Sequence, residues 1–180
     1  MNDMMKKAAV VLVLLGSAGP VAGQERTVLA RFEGAIGVDP VANAAGAPNA
    51  DGTLPNVRLN VVRGVSPASR WTIAGLRADV YADGHIRVRG QGLLLANGNS
   101  IGQNANQRVF ATLICEAAAP FVERSTSFAG VALEADGDFR IDDTLNPAPS
   151  ECASPVLLIR ASSNGTWFAA GIARLADDDR

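Results

Sequence analysis

Lysine, histidine, cysteine and the aromatic residues are all scarce in this chain of 180 residues. Histidine occurs once, at His85, and cysteine twice, at Cys115 and Cys152. Zinc centres gather three or four His, Cys or carboxylate ligands, so one His beside a pair of cysteines supplies no metal cluster. A lone His also needs a nucleophile and an orienting acid before it can run triad chemistry, and no serine stands in a Gly-x-Ser-x-Gly setting. No phosphate-binding glycine loop is present. Long apolar runs are missing too. Ala8–Leu15 falls well below the roughly 20 residues that span a bilayer, and no later stretch reaches that length without a charge or a turn, so no transmembrane anchor is expected. No stripe of helical period persists along the chain, which argues against a helical fold.

The two lysines, Lys6 and Lys7, sit in a basic head, Met1–Lys7. Ala8–Leu15 then forms an apolar core, and Gly16–Gly23 a small-residue exit. That order reads as a secretory signal peptide over residues 1–23, cut after Gly23 or, as the alternative, after Ala22. No cysteine lies near the exit, so lipoprotein processing is not indicated. The Lys-Lys head and short core fit bacterial export to the periplasm or the medium. The expected mature chain, residues 24–180, has 157 residues, enough for a single secreted β-domain with a hydrophobic core. Removing Lys6, Lys7 and Asp3 from the 16 basic and 18 acidic residues leaves 14 Arg against 17 acids, a formal net charge of -3. The arginines are dispersed among acids, which is not the balance of a nucleic-acid binder. Cys115 and Cys152 both survive cleavage, and an even pair in an oxidising compartment predicts one disulfide.

Short alternating segments punctuated by turns fill the rest. Thr27–Gly34 reads as a first strand and Val57–Val62 as the next, separated by an Ala/Gly/Pro/Asn-rich loop at 37–56 that reads as a tolerated insertion. The clearest hairpin joins Leu76–Tyr81 to His85–Arg89 through Ala82-Asp83-Gly84. Leu76, Ala78, Val80, Ile86 and Val88 are expected to face the core, and Arg77, Asp79, Tyr81, His85, Arg87 and Arg89 the other side. Further strands are predicted at Gly92–Ala96, Arg108–Cys115, Pro155–Arg160 and Thr166–Ile172. A second Asp-Gly hairpin is predicted across Leu133–Ile141. Pro120 limits any helix near 117–123. The fold class expected is all-β, an antiparallel β-sandwich, with a closed β-barrel as the alternative.

Each chemical motif has a plain structural explanation beside it. Asp136-Gly137-Asp138, with Glu134, Asp142 and Asp143 nearby, suggests a calcium loop, but calcium needs 6–8 converging oxygens and a turn explains Asp-Gly outright. His85 reads as an exposed surface residue. Glu33, Asp79, Glu116, Glu123, Glu134 and Asp142 are candidate acids for glycoside hydrolysis, with nothing to select a pair. The amide-rich loop Gly98–Gln107 suits a sugar or its own backbone. Trp71 and Trp167 read as packing residues rather than glycan platforms. The best recognition face is Arg77, Asp79, Tyr81, His85, Arg87 and Arg89, since arginine and tyrosine are favoured at interfaces.

The leading functional reading is an exported, non-enzymatic binding or structural module that meets a protein, a glycan or another cell-surface component. The alternatives are a small extracellular hydrolase using paired carboxylates and a small-ligand carrier barrel. No cofactor, metal or nucleic-acid partner is expected.

Overall fold

The computed structural model describes residues 26–39, 41–42, 50, 57–58 and 60–174. The signal-peptide segment 1–23 lies outside the described residues, as does most of the expected 37–56 loop. Among the described residues thirteen strands follow one another: β1 (Val28–Gly37), β2 (Val41–Ala42), β3 (Val57–Arg58), β4 (Trp71–Thr72), β5 (Gly75–Tyr81), β6 (His85–Gln91), β7 (Leu94–Leu95), β8 (Arg108–Ile114), β9 (Arg124–Ser125), β10 (Val131–Ala132), β11 (Phe139–Thr144), β12 (Val156–Ala161) and β13 (Trp167–Arg174). The only helical turn among the described residues is a short 3-10 segment, Gly98–Ser100.

Nine strands form one antiparallel sheet in the order β10-β8-β12-β13-β1-β5-β6-β11, with β9 also pairing β8. Two small ribbons, β2–β3 and β4–β7, lie off it. The large sheet curls until its ends meet. Ser125 of β9 and Asn146, just beyond β11, exchange two backbone hydrogen bonds of 3.1 and 2.9 Å. The fold is thus all-β and antiparallel, as expected, with its main sheet nearly closing into a barrel.

Alternation decides which faces are charged. In β5 and β6 every second residue is buried: Leu76, Ala78, Val80, Ile86 and Val88, the five expected to point inward, are all at most 4% exposed. They pack against Phe32, Leu113, Leu157, Ile159 and Phe168 in the main core. Each such side chain contributes about 1.5–3 kcal/mol by leaving water. In β8 and β12 the alternation disappears, because both faces are covered. A second cluster of Val38, Val65, Ile114, Leu158, Trp167 and Ala170, with Val62 and Phe121 packed against it, lies over the outer side of those strands. The exposed charged face is therefore carried by β1, β5, β6 and β11.

Cys115 and Cys152 form the expected disulfide, tying the end of β8 to the approach to β12. By chain-entropy reasoning a link across a loop of this length stabilises by about 3–4 kcal/mol.

Other expectations need correction. The second Asp-Gly turn does not join a paired hairpin. Its flanking strands belong to opposite ends of the sheet, β10 on β8 and β11 on β6. The turn closes locally through Glu134 N–H to Asp138 O (2.9 Å) and Gly137 N–H to Glu134 O (2.9 Å), and local turn chemistry does not specify which strand each arm will find. Of the predicted strand Val57–Val62, Val57–Arg58 forms β3, Asn60 and Val61 lie in no strand, and Val62 instead bridges to Val65. The predicted Gly92–Ala96 strand shortens to Leu94–Leu95. No helix forms at 117–123, where Ala119-Pro120 is a cis peptide.

Candidate functional site

The outer face of β1, β5, β6 and β11 is ruled into cross-strand rows by the register. One row runs Glu33–Arg77–Arg89–Arg140. The next runs Arg31–Asp79–Arg87–Asp142. Beyond it lie Tyr81 and His85 at the Ala82–Gly84 turn, with Thr144 opposite His85. All six residues expected on this face are there.

The two charged rows differ. Signs alternate in the second, where Arg31 Nε lies 3.5 Å from Asp79 Oδ1 and Arg87 Nε 3.3 Å from Asp142 Oδ2. In the first, a single carboxylate shares the row with three arginines. Glu33 accepts from Arg77 Nη2 at 2.8 Å and from Arg174 Nη1 at 3.3 Å. These pairs are largely solvated, and pairs of that kind stabilise by about 0–1 kcal/mol each. They fix side-chain positions more than they hold the fold. A cavity of about 330 Å³ opens over the first row, lined by Arg77, Arg89 and Arg140 together with Gln91, Glu134 and Asp138.

His85 departs from expectation. Its side chain is 13% exposed, not a free surface group. It lies 5.6 Å from Tyr81 between ring centroids. Its Nε2 is 3.1 Å from Asp142 Oδ1, yet the contact is off-line: Nε2 is buried without a hydrogen bond. The distance marks electrostatic proximity, and hydrogen bonding needs alignment as well.

Of the candidate acids for hydrolysis, only Glu33 and Asp79 line a common cavity among the described residues, one of about 260 Å³ shared with Arg31, Arg77 and Arg174. Glu33, Asp79 and Asp142 belong to the face just described. Glu123 pairs with the nearly buried Arg160 at 2.6 Å. Glu116 lies 2.9 Å from Arg124 and also accepts the Val122 amide at 3.1 Å. Its pKa is lowered to about 2, chiefly by the hydrogen bond from Arg124 and then by that from Val122. A glycosidase needs one carboxyl pushed the opposite way, to stay protonated as an acid.

The remaining motifs serve local structure. Asp136 Oδ1 accepts the Asp138 amide at 3.1 Å, and Asp138 Oδ1 accepts the Gly92 amide at 3.0 Å. No group of three or more His, Cys, Asp or Glu residues is placed to hold a metal among the described residues. In the amide-rich loop, Asn104 donates to the carbonyls of Leu133 and Glu134 at 3.1 and 2.8 Å, which holds the loop to the Asp-Gly turn. Trp71 is buried in a stack on Phe168, 4.1 Å between centroids, and Trp167 is buried with Nε1 donating to Asn60 O at 2.9 Å. A more open groove of about 480 Å³ borders Trp71, Leu95 and Ile101, but its one ion pair, Arg70 with Asp39 at 3.1 Å, is internal.

Arg140 was missed by the sequence reading, although its place in Phe139-Arg140-Ile141 points it outward once β11 is recognised. That β11 would lie beside β6 has no local signal. No family model, no curated protein and no solved structure matches this chain.

Proposed function

We propose that this chain is exported after removal of residues 1–23 and works as a non-enzymatic binding module, using the outer face of β1, β5, β6 and β11 to meet a cell-surface component. The observation that carries this reading is the face itself: an array of positioned arginines and acids, with Tyr81 and His85 at one end. Interfaces favour arginine and tyrosine, and surface ion pairs of this exposure do little for stability. The disulfide is consistent with a non-cytoplasmic setting. Among the described residues no helix is long and apolar enough to cross a membrane.

The hydrolase reading is weaker, because five of its six candidate acids are engaged by arginines or by His85. The carrier reading lacks support as well, since bulky side chains such as Ile86, Leu113, Leu157 and Ile159 fill the barrel interior.

Retention of the exported protein on intact cells and isolated envelopes tests the proposal. The double substitution Tyr81→Ala and Arg87→Ala is expected to weaken retention about fivefold or more. Glu151→Ala, an exposed charge on the loop before β12, is expected to leave it unchanged. Equal retention of all three proteins would sink the proposal.

A further inference from the structure

We propose that the row Arg77–Arg89–Arg140 binds the carboxylate of an acidic sugar, so that the module's ligand is a glycan carrying uronic-acid-type units. This rests on the reading of the face as a binding surface and names what it takes.

Residues directly opposite on neighbouring strands have Cβ atoms about 4.5–5.5 Å apart, and like charges so placed destabilise a sheet. Arg77 faces Arg89, and Arg89 faces Arg140. Among the described residues no carboxylate pairs with Arg89 or Arg140. The one acid in the row, Glu33, is divided between Arg77 and Arg174. The neighbouring row shows the alternative, with opposite charges in alternation and each acid matched. The first row therefore holds a positive strip whose repulsion an arriving anion relieves. Guanidinium forks match a carboxylate in two-point geometry.

The rest of the lining narrows the ligand class. The turn that carries Glu134 and Asp138 lies over the end of β6, held by Leu93 N–H to Gly137 O at 3.0 Å and by the Gly92 amide to Asp138. With Gln91 it adds hydrogen-bond acceptors to the lining of the cavity that the arginines share. A densely sulfated or phosphorylated chain would meet those carboxylates as like charges. Sugar hydroxyls would donate to them. The cavity of about 330 Å³ sits at the small end of ligand sites and has room for about one sugar ring. One anionic group for the arginines and hydroxyl donors for the carboxylates together describe a sugar acid.

The test is an NMR titration of the disulfide-bonded exported protein with D-glucuronate, with glucose as the neutral control and inorganic sulfate as the bare anion. Glucuronate is expected to bind saturably with shifts at the Arg89 and Arg140 amides. Glucose is expected not to bind, and sulfate to bind about tenfold more weakly. Arg89→Gln and Arg140→Gln, each checked for native spectral dispersion, are expected to weaken glucuronate about tenfold or more. Equal affinity for sulfate and glucuronate would make this a site for bare anions and overturn the sugar assignment. Absence of saturable glucuronate binding would overturn it as well. If glucuronate fails while cell retention still depends on Tyr81 and Arg87, the module stands and its ligand is a protein or a neutral surface component. If both fail, the module reading falls too.

Discussion

Glu116 follows Cys115 at the end of β8, and its carboxylate is held at a pKa of about 2 against an ordinary 4.5. The Arg124 hydrogen bond is the main cause, followed by the Val122 amide. Because the folded value lies below the unfolded one, the contribution to stability is complete above the ordinary value. It is lost as pH falls from there through about 2. Glu116→Gln is expected to lower stability near neutral pH and to flatten its decline across that acidic window. Urea midpoints at about pH 6 and about pH 2.5 would show it: the gap between them should be smaller in the variant, and an unchanged gap would assign the acid sensitivity to other carboxylates. At this scale the sequence was readable where chemistry is local. The pairing of Cys115 with Cys152 follows from there being just two cysteines behind a sequence that reads as a secretory signal, and the outward set Arg77, Asp79, Tyr81, His85, Arg87 and Arg89 follows from strand period. The half-burial of His85 was not readable, because Tyr81 and Asp142 reach it from β5 and β11.

Among the elements, the Glu134–Asp138 turn shows how a local signal can be right and still mislead. Asp136-Gly137 does make a turn, but its arms separate to opposite ends of the sheet, since pairing is decided by which edges the curl brings together. The turn instead packs on the backbone of Leu93. Gly137 has φ +84°, and a Cβ there would stand 2.6 Å from Leu93 N and O. Gly64 also has positive φ, +87°, but nothing lies within 4 Å of its Cβ position. Gly64→Ala should therefore cost about 1 kcal/mol from conformation alone. Gly137→Ala should cost clearly more, about 2–4 kcal/mol, because backbone must move as well. Chemical denaturation of the two variants would separate these terms, and equal losses would mean that the turn yields easily. The doubly buried strands β8 and β12 were legible as apolar runs. The segments that cover their outer side, with Val65 and Phe121, were not, because they carry no period of their own.

For the whole molecule, export and oxidation can be read in one mass. The unreduced exported protein is expected to have the mass of residues 24–180 less two hydrogens. Reduction should restore the two hydrogens and lower stability by about 3–4 kcal/mol. An intact N-terminus with free thiols would remove the compartment on which the proposed function depends. The fold class was legible from many short strands and the lack of any helical stripe. The degree of closure was not, because it depends on Ser125 and Asn146 meeting at a seam between segments that read as ordinary connections.

The position of β13 has a consequence for the order of assembly. It lies in the middle of the sheet, between β12 and β1, so the earliest strand finds one of its two neighbours in the latest. A chain folding from its N-terminal end can pair β1 with β5 early, but the other edge of β1 must wait for Trp167–Arg174. Completion of the main sheet is then a late event that needs nearly the whole described chain. The long sequence separation of that final pairing places the protein among slow-folding topologies, exposed to chaperones and proteases until its last strand is in.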